Sequence, residues 1–386
     1  MKMIKNIILL ISVTAIISCS KVNKRIIGVI NPETAEMTNL SLSDFAEDLQ
    51  YIPLDNNIQI GGNINRLEIV DSLLFVGAVQ TELLVFDLYG NYKNKIGKIG
   101  KAPGEYRFGS WFSLDSKNKL VYLLDGKKVK VYSFDGTFIN EFSLEKYDAD
   151  FQDILYKNGF IYLAEFISFG HAKYDWLVLD ESGNPIFSKL NSIPQFQSQE
   201  GGSGFVFSND KFVYYLNQYN DTLFQINGTN FEPAYLFAKG EYRPQLSSAE
   251  NSTPGFNILD ITQTNKTIFV RYFLNETFYS GYFDSTKQKL ILLNSAKNLN
   301  YRDEGPGIIN NVDAGLSFVV KNHATINNTE YLVAYRFAYE IKTHVASEVF
   351  KNSTPKYPEK KKQLEKLANS LNENDNPVLM LVKLKE

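Results

Sequence analysis

Short apolar or alternating stretches recur through most of the chain, separated by turn residues. In residues 128–134, Val129, Val131 and Phe134 stand among polar positions. Side chains of a strand point alternately to its two faces, so this spacing predicts strands. Several strands end in an apolar residue followed by Asp or Asn and a turn. Examples are Phe86-Asp87-Leu88-Tyr89-Gly90-Asn91, Phe134-Asp135-Gly136-Thr137 and Leu179-Asp180-Glu181-Ser182-Gly183-Asn184. Ile226-Asn227-Gly228-Thr229 and Phe283-Asp284-Ser285-Thr286 continue the series. Gly and Asn accept positive φ, so Asp-Gly and Asn-Gly are strong hairpin signals. The acidic or amide position falls at 87, 135, 180, 227 and 284, a repeat of 45–57 residues.

Each unit has room for about four short strands. One runs over 111–115, 120–124, 129–134 and 138–144. A period of this length with four strands is the signature of a propeller blade. With blade one starting near Ile64 and a sixth unit over 308–386, the reading is all-β: a six-bladed β-propeller with four-stranded blades. Strand patterns at 49–54 and 378–383 are predicted to share one blade, joining the two ends of the chain and removing an open seam. Residues 358–371 break the β pattern. Leu364, Leu367, Ala368 and Leu371 have helical spacing, Pro358 suits a first turn, and Asn374-Asp375-Asn376-Pro377 ends it. This predicts one inserted amphipathic helix near the C-terminus. It packs against blade six or, as the sharper alternative, docks a partner.

The N-terminus reads as an address. Lys2 and Lys5 precede an apolar run over 7–17, too short to cross a bilayer as a helix. Ile16-Ile17-Ser18-Cys19 resembles a bacterial lipobox, and Cys19 is the sole cysteine. The expectation is a signal peptide over 1–18, lipid on Cys19, a flexible tether over 19–38 and the propeller over 39–386. No cysteine is left for a disulfide, so the core alone must hold the fold.

Composition adds one exclusion. The 40 basic and 43 acidic residues give a net charge of −3, and removal of Lys2 and Lys5 makes it −5. Nucleic-acid binding needs a basic footprint, so it is not expected.

Three segments carry a family resemblance. Lys101-Ala102-Pro103-Gly104-Glu105-Tyr106 is similar to a Gly-Pro-Gly-Glu-Tyr loop with one position changed to Ala. Asn220-Asp221-Thr222-Leu223-Phe224 is similar to an Asn-Asp-Thr strand opening, and Asn374-Asp375-Asn376-Pro377-Val378-Leu379 to a closing strand. Over roughly residues 40–386 the chain resembles the six-bladed β-propeller lipoproteins of Bacteroidota, related in architecture to NHL-repeat propellers. The resemblance implies this fold and an envelope location; it transfers no catalytic residue. In that phylum, surface lipoproteins commonly carry acidic residues just after the lipidated Cys. Ser20-Lys21-Val22-Asn23-Lys24-Arg25 has none, which implies an outer-membrane anchor facing the periplasm.

Chemistry is sparse. His171, His323 and His344 are far apart, and no zinc spacing, nucleophile elbow or phosphate loop occurs. Gly201-Gly202-Ser203-Gly204 leads into a strand, not a helix, and reads as a blade connection. Propeller ligands usually sit over the channel, on the face bearing the blade-to-blade connections. Here these are 98–110, 145–153, 192–204, 240–255 and 295–311. Glu105, Tyr106, Arg107 and Trp111 form the densest polar and aromatic group. They are either a ligand clamp, with Arg107 on a carboxylate and a ring for stacking, or a loop fixed by Pro103 and Gly104 with Trp111 in the core between blades. Loops between second and third strands are expected to add Glu165, His171, Tyr219, Asp221, Arg271 and His323. Some six-bladed propellers resemble calcium-dependent lactonases, which gather oxygen ligands at the channel mouth. On that resemblance Asn65, Asp150, Asp153, Asn257, Asn311 and Asp313 are metal candidates for a possible Ca²⁺, against the plainer reading that each caps a turn.

The expectation is an envelope-anchored, non-catalytic binding or scaffold propeller. Its partners are the membrane, through the N-terminal lipid, and a protein or glycan of the envelope. The alternative is a metal-dependent hydrolase or lyase at the channel mouth. It requires the candidate carboxylates and amides to converge.

Overall fold

The computed structural model describes residues 26–79, 81–167, 171–193, 204–240, 256–297 and 306–385. Cys19 and Gly201 to Ser203 lie outside the described residues. The chain opens with β1 (Gly28–Ile30), β2 (Glu36–Met37), α1 (Leu42–Phe45) and β3 (Ala46–Pro53). Blade one is β4 (Ile64–Val70), β5 (Leu73–Ala78), β6 (Leu83–Asp87) and β7 (Tyr92–Ile96). Blade two is β8 (Phe112–Asp115), β9 (Leu120–Asp125), β10 (Lys128–Ser133) and β11 (Phe138–Ser143). Blade three is β12 (Phe151–Lys157), β13 (Phe160–Glu165), β14 (Tyr174–Asp180) and β15 (Pro185–Leu190). Blade four is β16 (Gly204–Ser208), β17 (Val213–Asn217), β18 (Thr222–Asn227) and β19 (Asn230–Phe237). Blade five is β20 (Asn257–Gln263), β21 (Ile268–Leu274), β22 (Thr277–Asp284) and β23 (Lys289–Lys297). Blade six begins with β24 (Asn322–Ile326) and β25 (Thr329–Arg336). The helices α2 (Ala338–Ala346), α3 (Glu348–Lys351) and α4 (Pro358–Ser370) follow, then β26 (Val378–Leu384).

The expected closure is present. β26 pairs antiparallel with β25 on one side and with β3 on the other, Met380 standing opposite Tyr51. Blade six therefore takes its outer strand from the start of the body. This explains why the Asp/Asn turn occurs in blades one to five only: the sixth outer strand is not reached by a hairpin. The turns themselves are local. The Asp87 carboxylate accepts the N–H groups of Tyr89 and Asn91, both at 2.9 Å, and Asp180 does the same for Ser182 and Asn184. Gly90, at φ 87°, takes the left-handed position that favours glycine.

Each interface between neighbouring blades is an apolar layer. Phe75, Val85, Phe112 and Tyr132 lie between blades one and two, and Tyr122, Phe151 and Leu177 between two and three. Trp176, Val206 and Tyr215 fill the next interface, Leu223, Phe256 and Tyr272 the one after. Phe269, Leu332 and Met380 join blades five and six, and Leu74, Phe86 and Leu379 close the ring. Fully burying such a side chain contributes about 1.5–3 kcal/mol, so the ring stands without disulfides.

The inserted helix is α4, and the insertion also holds α2 and α3. Leu364, Ala368 and Leu371 pack on Ala338, Ile341, Phe350 and Val378, which gives α4 the packing role. A second departure is at the N-terminus. Within 19–38, expected to be tether, β1 pairs parallel with β19 and β2 pairs parallel with β23. Ile30 is fully buried, and Gly28 lies so close to the Phe283 ring that a Cβ would come within 2.0 Å of it. These residues form a strap across the outer edges of blades four and five.

Candidate functional site

The six inner strands, β4, β8, β12, β16, β20 and β24, surround the channel and line a cavity of about 590 Å³. That volume lies in the usual small-molecule range. Each inner strand follows a blade-to-blade connection, so its first residues face the mouth on that side, called here the connection face. The opposite side, bearing the turns between first and second and between third and fourth strands, is the turn face.

The inner strands of blades one, three and five share an irregularity. Their pairing shifts register between Ile64 and Arg66, between Phe151 and Asp153, and between Ile258 and Asp260. A bulge of this kind inserts a residue and re-aims the following side chain. At each position the re-aimed residue is charged, and all three line the cavity. In blades two, four and six the inner strand pairs without a shift.

Arg66 is the hub. One of its terminal nitrogens donates to the carbonyls of Phe112 and Ile154, at 2.6 and 2.7 Å, and the other to the Asp153 carboxylate. Its guanidinium lies 5.8 Å from the centre of the Trp111 ring. Asp153 also accepts the N–H of Val206, at 3.1 Å. One polar chain thus ties blades one, two, three and four at the channel. Glu68, two residues along β4 from Arg66, is 3.8 Å from it, with 19% of its side chain exposed. Burial, reinforced by the Asp153 charge and opposed by Arg66, pushes the Glu68 carboxyl up to about 7. Burial also raises Asp153, against Arg66 and the backbone N–H groups of Val206 and Ile154. Asp260 forms an ion pair with Arg271, its neighbour on β21. Asn322 bonds the Leu67 carbonyl and closes the belt between blades six and one.

A family model matches residues 27–383, from the strap to the closing strand. The chain belongs to the family described as Domain of unknown function (DUF4934). Among solved structures, a Bacteroides fragilis protein described as exported is similar to this DUF4934 chain at 18% identity and a TM-score of 0.67. The alignment covers 94% of this chain and 100% of that one. A Bacteroides vulgatus member of the DUF4221 family is similar at 12% identity and a TM-score of 0.48, over 88% of this chain and 97% of that one. No curated protein matches the chain. At such identities the likeness speaks for the fold alone.

The residues expected in a ligand clamp separate in this DUF4934 fold. Tyr106 is fully buried between blades one and two; its hydroxyl donates to the Ile96 carbonyl at 2.6 Å and accepts the Leu83 N–H at 2.9 Å. Glu105 caps its own loop, accepting the Ala102 N–H at 2.9 Å, and that bond holds its carboxyl below the usual range. Arg107 is exposed and reaches Asp125 at 3.1 Å. Only Trp111 of this group lines the cavity. His171 is exposed in the loop between β13 and β14. Arg271 and His323, expected in loops, are on β21 and β24; His323 lines the cavity and contacts Glu330 at 2.8 Å.

The metal candidates also disperse. Asn65 and Asp153 line the cavity, and Asp153 is held by Arg66. Asp150 is exposed and pairs with Lys127 at 2.7 Å. Asn257 accepts from Gln218, Asn311 exchanges bonds with Ser43, and Asp313 is buried beneath the helices, accepting from Asn310 and Gly315. Asp150, Asp153, Asn257, Asn311 and Asp313 are each held by their own neighbours. No group of three or more His, Cys, Asp or Glu side chains able to hold a metal occurs among the described residues, and no cofactor is indicated.

Proposed function

We propose that this chain is a lipid-anchored binding propeller of the cell envelope that takes a glycan into the connection-face mouth of its channel. The observation carrying this reading is the chemistry of the lining. Arg66 is paired with Asp153 and Arg271 with Asp260, so much of the charge in the channel is already neutralised. What remains for a ligand at the connection-face mouth is the Trp111 ring, with the Asn65 amide and the Ser113 hydroxyl among the lining groups. An aromatic platform among amides and hydroxyls suits the apolar face and hydroxyl edge of a neutral sugar. The lipobox-like Ile16-Ile17-Ser18-Cys19 supports the anchor, and the resemblance to Bacteroidota lipoproteins supports an outer-membrane, periplasm-facing position.

The test uses the mature chain with Cys19→Ser, titrated with neutral oligosaccharides. The chain has 2 tryptophans, and Trp176 is fully buried, so a fluorescence change on binding reports Trp111. Saturable binding that Trp111→Ala weakens at least tenfold is expected. Sugars that leave the fluorescence and the melting midpoint unmoved would sink the glycan reading.

A second reading rests on Glu68. A carboxyl near 7 beside a second carboxylate is what general-acid chemistry uses, so a metal-independent hydrolase is the competitor. Turnover of an oligosaccharide that Glu68→Gln abolishes, with binding retained, would replace the non-catalytic reading.

A further inference from the structure

The strap sets where the anchor leaves the disc. β1 runs parallel to β19, the outer strand of blade four. β19 leads into the connection to β20, so it ends at the connection face. β1 therefore begins at the turn face, and the chain N-terminal to it leaves from there. The start is held firmly: the Ile27 N–H donates to Ala234 at 2.7 Å, the Ala238 N–H donates to Ile30 at 2.9 Å, and Ile30 is buried. Cys19 to Gly28 is a step of 9 residues, spanning at most about 31 Å. Without the strap, the first fixed point would be α1 at Leu42, fully buried and bonded to the Ile309 carbonyl, more than twice as far along the chain.

The surface at that exit carries apolar side chains among the exposed polar turns Glu181 to Asn184 and Asn227 to Asn230. Ile26 and Ile27 are each 39% exposed and precede β1. Phe231, at the turn-face end of β19, is 36% exposed, and Ile186, at the same end of β15, is 43% exposed. The Phe187 and Phe231 rings meet at 5.8 Å, making the rims of blades three and four one continuous edge. Between Cys19 and Asn31 the sequence carries Lys21, Lys24 and Arg25 and no acidic residue. Apolar side chains beside a basic, lipid-bearing segment fit an anionic lipid surface, which attracts the cations and accepts the apolar groups at its interface.

We propose that the anchored disc stands on an anionic bilayer on the turn-face rim of blades three and four, holding the connection face and the channel mouth away from the lipid. This rests on the anchor at Cys19 and goes beyond it in fixing an orientation. A disc tethered by a long free linker would have none.

Cys19 is the only cysteine, and lipid occupies its thiol, so an introduced cysteine is the one free thiol for labelling. Three exposed sites suffice: Thr229→Cys at the turn of blade four, Tyr89→Cys at the turn of blade one, directly across the ring, and Phe108→Cys on the connection face. Lipidated full-length protein is placed in phosphatidylglycerol–phosphatidylethanolamine vesicles, and quenching of each label by spin-labelled headgroups is measured. Quenching at 229 should exceed that at 89 and at 108 by several-fold. Equal quenching at 229 and 89 means the disc lies flat and overturns the rim orientation; equal quenching at all three overturns any orientation. Gly28→Val, which drives a side chain into Phe283, should release the strap, keep the protein on the vesicles and erase the contrast. Contrast that survives Gly28→Val removes the strap as its cause and overturns the proposal. Sedimentation separates the two readings. Wild type that fails to pellet with vesicles, like Cys19→Ala, defeats the anchor, while pelleting without contrast defeats the orientation alone.

Discussion

At the scale of single residues, the channel stores a titration. Glu68 has a folded pKa of about 7, against an ordinary value of 4.5. Between those values the folded chain binds more protons than the unfolded chain, so stability falls as pH rises through the interval and is level above it. A displacement of this size corresponds to about 3 kcal/mol at full effect. Gln reproduces the shape of the protonated acid and cannot ionise. Glu68→Gln should therefore leave urea stability near wild type at pH 4.5 and raise it at pH 8, by an amount that grows steadily between. An equal effect at both pH values would show that Glu68 ionises normally. Little of this site could be read in the sequence. Alternation predicts which strand residues face inward only while the register is regular. Asp153 is expected at the channel mouth from its place near an inner-strand start and does line the cavity, whereas Arg66 and Asp260 each follow a bulge that shifts the parity by one position and hides them from the pattern. Tyr106 misled in the opposite sense: a polar ring in a Pro-Gly loop looks available, yet its hydroxyl is spent on two backbone groups of the core.

At the scale of elements, legibility tracked how local the determinants are. The Asp87 and Asp180 turns are made by bonds spanning two to four residues, and α4 by its own apolar stripe behind Pro358, so both could be read directly. α2 was missed because its sequence, with Ile341, Thr343 and Val345 at every second position, also fits a strand. β1 was missed because a three-residue strand resembles a linker, and its partner β19 lies about 200 residues away. The strap's energy rests largely on Ile30, so Ile30→Ala, with a typical cost of 2–5 kcal/mol, exceeds what a short edge strand can hold. Local detachment is the expected result. Amide exchange at Ala238, which donates to Ile30, should accelerate strongly, while amides of blade one such as Leu74 keep wild-type protection. Unchanged exchange at Ala238 would show that the strap is held by something other than Ile30.

At the scale of the whole molecule, the two ends are unequal in what they support. The strap adds strands to sheets that are already four-stranded, whereas β26 stands inside blade six between β25 and β3. Removing residues 26–38 should therefore cost edge protection in blades four and five and leave one cooperative melt. Removing residues 377–386 takes away the strand that, among the described residues, bridges the sheet started by β24 and the strand started at Ala46. It also strips Leu379 and Leu381 from the interface with blade one, and Met380 and Val382 from that with blade five. Two interfaces open together, and a ring whose blades touch only their neighbours has no other route to closure. The truncated chain should lose its sharp thermal transition and bind a hydrophobic dye at room temperature. A synthetic peptide of residues 376–386 added in trans should restore the transition, because it supplies a central strand to a slot whose two edges remain. If the truncated chain melted sharply near the wild-type midpoint, closure would be dispensable, and the ring would be held by its other four interfaces alone.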